Sequence, residues 1–421
     1  MRRLAALVAA LALLAGCTHF RNAAADRVAD WHADLAALLP ALASVHPDLL
    51  RGGVPLPLGR DLRALDAEVA TADDDHLMVG LMHAMTEVSF TGRDAHTGLY
   101  PWSPGNRPVR SLPLRWWFFP DGLYIEAQLG GDDLVGARVE AIAGHPLAEV
   151  VAKVDPLVPH DNESGRLAIR PRYLLVPEVL HGLDVIDRVG PVPLTVVDAR
   201  GRRTVTVEPV PMARYAEWAG PYALDLVPRP GLRYRTERAD VPLWHETLPG
   251  GVVYVAFNAV TDPDPGELAA IGRAVATASR VVVDLRNNTG GEVGADEPLL
   301  AVLTDERVLA RAALFVLTGR NTFSAAALFA AKLDRKVPGA VFAGEAMAGA
   351  PTSYANARDV RMERTGFVLT VASSREAAVS ANDRRETIPP DRVVAMTSRD
   401  YFAGRDPVLA AALTNAAGPR R

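Results

Sequence analysis

Residues 281–327 constrain the fold more than any other stretch of this chain. Residues 281–285 form an apolar run rich in β-branched side chains, which predicts a strand buried on both faces. The run ends in an Asn/Gly cluster at 287–291, which indicates a loop with exposed backbone N–H groups. A second apolar run at 313–318 is followed by a short turn and by Ser324, after which an Ala-rich helix is expected. The stretch therefore predicts two strand-to-turn junctions that meet at one place.

Ser324 lies where the second strand becomes a helix, and two interpretations fit that position. A helix N-terminus offers unpaired N–H groups and a partial positive charge, which favour an oxyanion beside a nucleophilic serine. Serine is also a preferred N-cap residue, with a hydroxyl that only accepts a backbone hydrogen bond. The local pattern leaves both interpretations open.

Three motifs carry a resemblance to a known family. They are D-L-R-N-N-T-G-G at 284–291, T-F-S-A-A at 322–326, and I-P-P-D-R-V-V at 388–394 followed by D-Y-F-A-G-R-D-P-V-L at 400–409. In this order they resemble the tail-specific, or C-terminal processing, serine peptidases, which include the tricorn protease and retinoid-binding relatives. The resemblance implies an α/β fold with a ClpP/crotonase-like core of repeated ββα units. It also implies hydrolysis of polypeptides with Ser324 as nucleophile, and neither a cofactor nor a metal is expected.

The same resemblance suggests a general base in a polar turn at 92–99, G-R-D-A-H-T-G-L. In this family a D-x-H-T turn stands at this position, and in the tricorn-like branch its histidine is the base. The resemblance therefore assigns that role to His96. Tricorn has a serine directly before its histidine, whereas this chain has Ala95.

A lysine base is disfavoured. Ser-Lys members of the family place the lysine directly after the glycine of a G-E-x-x-x-G turn, and the corresponding residue is Ala350. The chain contains only three lysines, at 153, 332 and 336. Lys332 and Lys336 lie on the helix that follows Ser324, about 12 and 18 Å along it at ~1.5 Å per residue. The sequence thus favours a Ser-His arrangement.

The predicted site also needs donors for the oxyanion and an acid that supports His96. The backbone N–H groups of Gly290 or Gly291, together with that of Ala325, are expected to bind the oxyanion. Tricorn's carboxylate precedes its closing P-D motif, a region that here offers Asp383 and Glu386. Asp94 is a local alternative, although an Asp in a turn more often caps its own backbone.

The rest of the chain divides by pattern into supporting modules. Helical periodicity marks an N-terminal module at 18–100 that ends in the His96 turn. Its histidines, at 32, 46, 76 and 83, are expected to be surface or packing residues and not metal ligands.

Short alternating strands at 110–212 resemble a PDZ-like β-rich module with an insert at about 157–185. Such a module either captures an extended peptide as an added strand or is purely structural. A Pro-rich linker is expected at 213–240, and the catalytic domain at 241–415.

The first seventeen residues, MRRLAALVAALALLAGC, read as a signal peptide. The sequence L-A-G-C resembles a bacterial lipobox, so Cys17, the only cysteine in the chain, is expected to carry a lipid anchor. Thr18 after it suggests the outer membrane, facing the periplasm. An ordinary signal peptide with a chance cysteine is the alternative. The net charge of −5 gives no reason to expect nucleic acid as a partner.

Together these patterns predict a serine endopeptidase that acts on periplasmic or envelope polypeptides. A non-catalytic lipoprotein that binds apolar ligands or peptides on the same fold is the alternative, and an esterase would use the same machinery.

Overall fold

A computed structural model describes residues 23–51, 53–220, 226–235 and 238–414. The expected signal peptide and Cys17 lie outside these residues. Among the described helices none is both long and apolar enough to cross a membrane.

Three helices open the described chain, as the periodicity of residues 25–90 predicts. Their buried faces carry leucine, methionine and Trp31, and Asp73 caps the third helix by accepting the N–H groups of Asp75 and His76. The third helix leads directly into the turn that holds His96. The helices are α1 Ala23–Val45, α2 Leu56–Glu68 and α3 Asp74–Gly92.

A β-rich part follows. Its main sheet has the antiparallel order β2-β3-β4-β6-β7, with β5 paired to β4, and the short strands β1 and β8 pair separately. The strands are β1 Arg110–Ser111, β2 Leu114–Phe119, β3 Gly122–Gln128, β4 Arg138–Ile142, β5 His145–Pro146, β6 Val192–Asp198, β7 Gly201–Val207 and β8 Val210–Pro211. The helices are α4 Leu147–Val154, α5 Glu163–Tyr173, α6 Pro177–Gly182 and α7 Met212–Ala219, with a 3-10 turn at Asp155–Leu157.

The expected insert at 157–185 is helical, since α5 and α6 lie within it. Strand β4, at the centre of the PDZ-like stretch, pairs with β3 on one side and β6 on the other. Among the described strands of this sheet, β2 and β7 stand at the two edges; β2 is mostly buried, whereas β7 is mostly exposed.

One hydrophobic core joins the helical and β-rich parts. Leu81 of α3, Ile125 of β3 and Leu180 of α6 belong to it, together with Leu369 from far along the chain. The two parts thus share one continuous apolar core.

The expected linker at 213–240 is partly structured. Helix α7 occupies its start, and a 3-10 turn lies at Arg233–Arg235. Leu232 and Tyr234 are buried against Phe119 and Tyr401, so this segment packs between the β-rich part and the C-terminal part. The proline-rich composition of this segment does not predict that Leu232 and Tyr234 are buried.

The C-terminal part is mixed α/β. Its strands are β9 Leu243–Leu248, β10 Val252–Phe257, β11 Arg280–Asp284, β12 Ala313–Thr318, β13 Val341–Gly344, β14 Thr352–Ala355, β15 Arg358–Arg361, β16 Val368–Val371, β17 Ser374–Ala377 and β18 Arg392–Val393. Its helices are α8 Pro265–Val275, α9 Glu297–Leu303, α10 Glu306–Leu309, α11 Ala325–Lys336, α12 Ser398–Phe402 and α13 Pro407–Thr414.

Six of these strands form a sheet of order β18-β13-β12-β11-β10-β9, parallel except for β9. Helices α8, α9 and α11 cover one face with a core that includes Val283, Leu300 and Phe329. The other face packs against α13. Strands covered on both faces explain the continuous apolar runs in the sequence. The loops after β11 and β12 emerge at the same edge of the sheet.

Candidate active site

Ser324 occupies a strained backbone position between β12 and α11. Its φ is 53° and its ψ is −129°, a conformation that residues with a side chain rarely adopt. Its side chain makes no capping hydrogen bond to the helix. The geometry of an ordinary N-cap is therefore absent at this serine, and the hydroxyl is turned toward another part of the molecule.

That other part is the turn after α3. The Nε2 atom of His96 lies 3.1 Å from the Oγ of Ser324, although 228 positions separate the two residues. The Phe323 ring stacks on the imidazole with centroids 4.7 Å apart and an interplanar angle of 20°. The structure thus brings the serine and the histidine that the sequence singles out into hydrogen-bond distance.

Backbone contacts hold the His96 turn in place. Asp94 Oδ1 accepts the N–H of His96 at 2.8 Å, and Asp161 Oδ1 accepts the N–H of Ala95 at 2.8 Å. The Tyr100 hydroxyl donates to the carbonyl of Ala95 at 2.8 Å. These hydrogen bonds fix the backbone at His96 and involve no atom of its imidazole ring.

The environment favours a neutral imidazole. Burial lowers the pKa of His96 from its ordinary value of 6.5, and the charge of Asp94 opposes that effect only in part. Within the described residues the Nδ1 atom of His96 has no hydrogen-bond partner. A neutral ring beside a serine hydroxyl can accept its proton.

None of the three candidate acids contacts the His96 ring in the described structure. Asp94 Oδ1 accepts the backbone N–H of His96, and Asp94 Oδ2 lies 3.1 Å from Nε2 of the buried His46. Asp383 pairs with Arg385 at 2.7 Å, and Glu386 pairs with Arg93 at 3.0 Å. In the described structure arginines pair with the carboxylates of both Asp383 and Glu386, and a supporting acid for His96 stays a prediction.

The loop after β11 approaches Ser324 closely. Gly290 has φ +112°, and a Cβ at this position would lie 2.6 Å from the Cβ of Ser324, so only glycine fits. Its N–H donates to Asn288 Oδ1 at 2.9 Å and is not available to an oxyanion. Within the described residues, the N–H groups of Gly291 and Ala325 donate to no protein acceptor.

A buried ion network anchors the same loop. Arg286 bridges Asp284 at 2.6 Å and Asp406 at 2.8 Å, and all three side chains are almost fully buried. The Tyr254 hydroxyl donates to Asp284 at 2.8 Å. The D-L-R motif and the R-D-P motif of the tail are therefore one structural unit, which holds the end of β11 against the start of α13.

The lysines lie away from the serine. Lys332 binds Asp296 at 2.8 Å, and Lys153 donates to the carbonyl of Leu183 at 2.7 Å. Ala350, where Ser-Lys relatives carry their base, is buried. Gly349 beside it packs tightly, since a Cβ there would lie 3.1 Å from the Ser324 nitrogen.

A mainly apolar cavity of about 250 Å³ opens beside the pair. Its lining includes His96, Phe323, Tyr100, Ala168 and Ile169. Ala168 and Ile169 belong to α5, so the helical insert supplies a wall of the site. The cavity has the character of a subsite for an uncharged side chain.

Sequence reasoning missed several residues that shape this site. Asp161 is buried, and burial together with the charge of Asp94 raises its pKa to about 8. Phe323 and Asn288 fall inside recognised motifs, yet their stacking and capping roles depend on the folded geometry. The polar sequence H-D-N-E-S at 160–164 inside an otherwise apolar insert was the available signal for Asp161.

Comparison with known proteins rests on structure alone, because no family model and no curated protein matches the sequence. A serine-to-alanine variant of CPAF matches with a TM-score of 0.63 and 13% identity, over 94% of this chain and 99% of that one. Mature CPAF complexed with lactacystin matches with a TM-score of 0.60 and 14% identity, over 90% and 96%.

The chain has the fold of CPAF. A photosystem II D1 C-terminal processing protease is also similar, at 14% identity over 93% of this chain and 99% of that one, with a TM-score of 0.40. The described fold is mixed α/β with several sheets, and its likeness to CPAF agrees with the resemblance drawn from the three motifs.

Proposed function

We propose that this protein is a serine endopeptidase in which Ser324 is the nucleophile and His96 the general base. The observation that carries the proposal is the 3.1 Å separation of His96 Nε2 and Ser324 Oγ at a serine with φ 53°. Strained nucleophiles at strand-to-helix turns expose their Oγ to substrate, and a histidine at this distance can take the hydroxyl proton. The fold of the tail-specific peptidases supports the same reaction class.

The reaction follows from the groups present. His96 Nε2 accepts the proton of Ser324 as Oγ attacks the peptide carbonyl, and the tetrahedral oxyanion forms near the helix N-terminus. The N–H groups of Ala325 and Gly291 are the donors we assign to that oxyanion, in place of the Gly290 N–H, which Asn288 occupies. His96 then returns the proton to the leaving amine, and water completes the cycle by the reverse steps.

The proposal does not require a carboxylate on the imidazole. In a Ser-His-Asp triad the acid fixes the tautomer and the orientation of the ring. Here the Phe323 ring and the hydrogen bonds of Asp94 and Asp161 to the turn restrict the orientation of His96. We assign Asp94 and Asp161 as positioning residues, because both hydrogen-bond to the backbone around His96 and neither hydrogen-bonds to its ring.

The cavity beside His96 suggests what the enzyme accepts. Because Ala168, Ile169 and Phe323 line it, an apolar side chain next to the scissile bond would bury its surface there. The β-rich part offers β7, an exposed edge strand, for an extended polypeptide to pair with. We propose that this part holds the substrate chain, while the cavity selects the residue at the cleavage site.

Binding of an apolar ligand without hydrolysis is the second candidate. The same cavity favours it, together with the absence of an acceptor for His96 Nδ1 within the described residues. Incubation of the wild type and Ser324→Ala with a peptide library, read by mass spectrometry, separates the two functions. Cleavage by the wild type alone supports the peptidase, whereas saturable binding of fatty acids or retinoids with no cleavage supports the binding protein. An ester substrate tested in parallel distinguishes an esterase.

We further propose that Cys17 anchors the protein in the bacterial envelope, with the described domains in the periplasm. The lipobox-like L-A-G-C sequence supports this location. Labelling of growing cells with radioactive palmitate would test the anchor. Incorporation into the wild type and none into Cys17→Ser is expected, while equal fractionation of both proteins into the soluble periplasm would contradict it.

A further inference from the structure

A cluster of histidines and carboxylates lies at the start of α3, away from Ser324. Asp73 is the capping residue directly before α3, His76 lies in the first turn of α3, and His181 lies in the last turn of α6. The side-chain ligand atoms of these three residues all lie within 4.8 Å of one another. The imidazole rings of His76 and His181 meet edge to face, with centroids 5.1 Å apart.

Each histidine has one ring nitrogen held by a carboxylate of its own. His181 Nδ1 lies 2.9 Å from Asp75 Oδ2, and His76 Nε2 lies 3.2 Å from Asp184 Oδ1. The remaining nitrogens face Asp73: His76 Nδ1 lies 2.9 Å from Oδ1 and His181 Nε2 lies 4.0 Å from Oδ2. Metal-binding histidines commonly donate their second ring N–H to a carboxylate in this way, which fixes the tautomer.

The backbone around the cluster is tightly packed. A Cβ on Gly182 would lie 2.3 Å from the carbonyl oxygen of Asp75, so only glycine allows α6 to come this close to α3. His181 and Asp75, one from each helix, are therefore held opposite each other by packing and not by their side chains alone. The side chains of His76 and His181 remain 32% and 19% exposed, which leaves an entry path for an ion.

From this geometry we propose that His76 Nδ1, His181 Nε2 and the Asp73 carboxylate form a binding site for a divalent transition metal of the Zn²⁺ class. Bonds of ~2.1 Å in a tetrahedral site put ligand atoms about 3.4 Å apart. Small side-chain rotations reach that spacing from the observed 2.9 and 4.0 Å. Asp75 and Asp184 orient the two imidazoles, and solvent completes the coordination. For His76 this proposal differs from the surface or packing role expected from the sequence.

Such an ion would join α3 to α6. Helix α3 runs from this cluster to the turn that carries His96. The metal would therefore fix the N-terminus of the helix that positions the base. This inference does not depend on the proposed peptidase function, because the site lies on a different part of the molecule. Its test reads metal binding and not catalysis.

The test uses tag-free protein, stripped with EDTA and titrated with Co²⁺ under visible absorption and with Zn²⁺ in a calorimeter. We expect one equivalent to bind, a higher Tm with Zn²⁺, and loss of both effects in His76→Ala and His181→Ala. Asp75→Asn keeps all three ligands and should weaken binding by about 10- to 100-fold, as for other residues that orient a metal-binding histidine.

The matched control is His83→Ala. His83 belongs to a second histidine-carboxylate group with Asp61 and Glu87, which has a single imidazole. Its loss should leave binding unchanged. No saturable binding by the wild type, or binding that survives both His76→Ala and His181→Ala, would overturn the proposal and leave the cluster as a hydrogen-bond network. Circular dichroism of the metal-free variants separates a lost ligand from a lost fold.

Discussion

The Nε2 atom of His96 and the Oγ atom of Ser324 are 3.1 Å apart, which joins the turn after α3 to the start of α11. The sequence around either residue does not determine this contact. The core shared by the helices and the β-rich part sets the position of the turn, and the parallel sheet sets the position of the serine. The pair thus depends on how these parts of the chain pack.

Replacement of either member should remove nearly all hydrolysis. A positioned base contributes on the order of 10²–10⁴-fold, so Ser324→Ala and His96→Ala should each lower kcat/KM by at least that range. His145→Ala is the matched control, because His145 is exposed on β5 in the β-rich part. Steady-state cleavage of a fluorogenic peptide measures all three. Activity in Ser324→Ala close to that of the wild type would refute the assignment.

The pH profile should report the buried imidazole. Because burial lowers the pKa of His96 below 6.5, the ring stays neutral and able to accept a proton at mildly acidic pH. The acid limb of kcat/KM should therefore have its midpoint below about 6.5, the value for a free histidine. A midpoint clearly above that value would indicate a different base, or a carboxylate that raises the pKa of His96.

Ser324→Gly and Ser324→Ala should differ in stability although neither has a nucleophile. At φ 53° and ψ −129° a side chain strains the backbone, and glycine relieves that strain. Strain of this kind costs about 1–3 kcal/mol, and the larger unfolded-state entropy of glycine offsets up to about 1 kcal/mol of the gain. Ser324→Gly should therefore unfold at higher urea than Ser324→Ala, and the reverse order would argue against a strained nucleophile.

Asp161 should make stability depend on pH. Its pKa is raised from 3.8 to about 8 because the carboxyl is buried near Asp94, so the folded state holds a proton that the unfolded state has released. Between about pH 4 and pH 8, stability should fall with rising pH by roughly 1 kcal/mol per unit from this group. Asp161→Asn keeps an acceptor for the Ala95 N–H and does not titrate.

The free energy of unfolding of Asp161→Asn should therefore exceed that of the wild type by an amount that grows from pH 5 to pH 8. Urea unfolding at several pH values measures the difference. A difference that is constant with pH, or that shrinks as the pH rises, would show that Asp161 is ionised in the folded protein.

The sequence was informative where local pattern and tertiary environment agree. The buried strands β11 and β12 appear as continuous apolar runs because both faces of the sheet are covered. Glycine at 290 follows from a contact that admits no Cβ, and the alternating strands of the β-rich part have the period of a half-buried sheet. The strand patterns are set within a few residues of each other along the chain, whereas the need for glycine at 290 comes from its contact with Ser324 on the next junction.

The sequence was uninformative where a partner is distant in the chain. Asp383 and Glu386 stand before the closing motif in the expected order, yet Arg385 and Arg93 bind them, and no periodicity encodes such pairings. Asp161 lies in an insert that the family pattern does not cover, and its burial depends on packing against the His96 turn. The contact between His76 and His181 depends on the packing of α3 against α6.

The most direct test of the central claim is the rate at which a fluorophosphonate probe labels the protein, with the site located by peptide mass spectrometry. The account predicts a single label on Ser324 of the wild type. It also predicts labelling at least 10²-fold slower in a folded His96→Ala variant, because the base that activates the hydroxyl is gone. No label on the folded wild type, or equal rates in the two proteins, would contradict a Ser324–His96 pair.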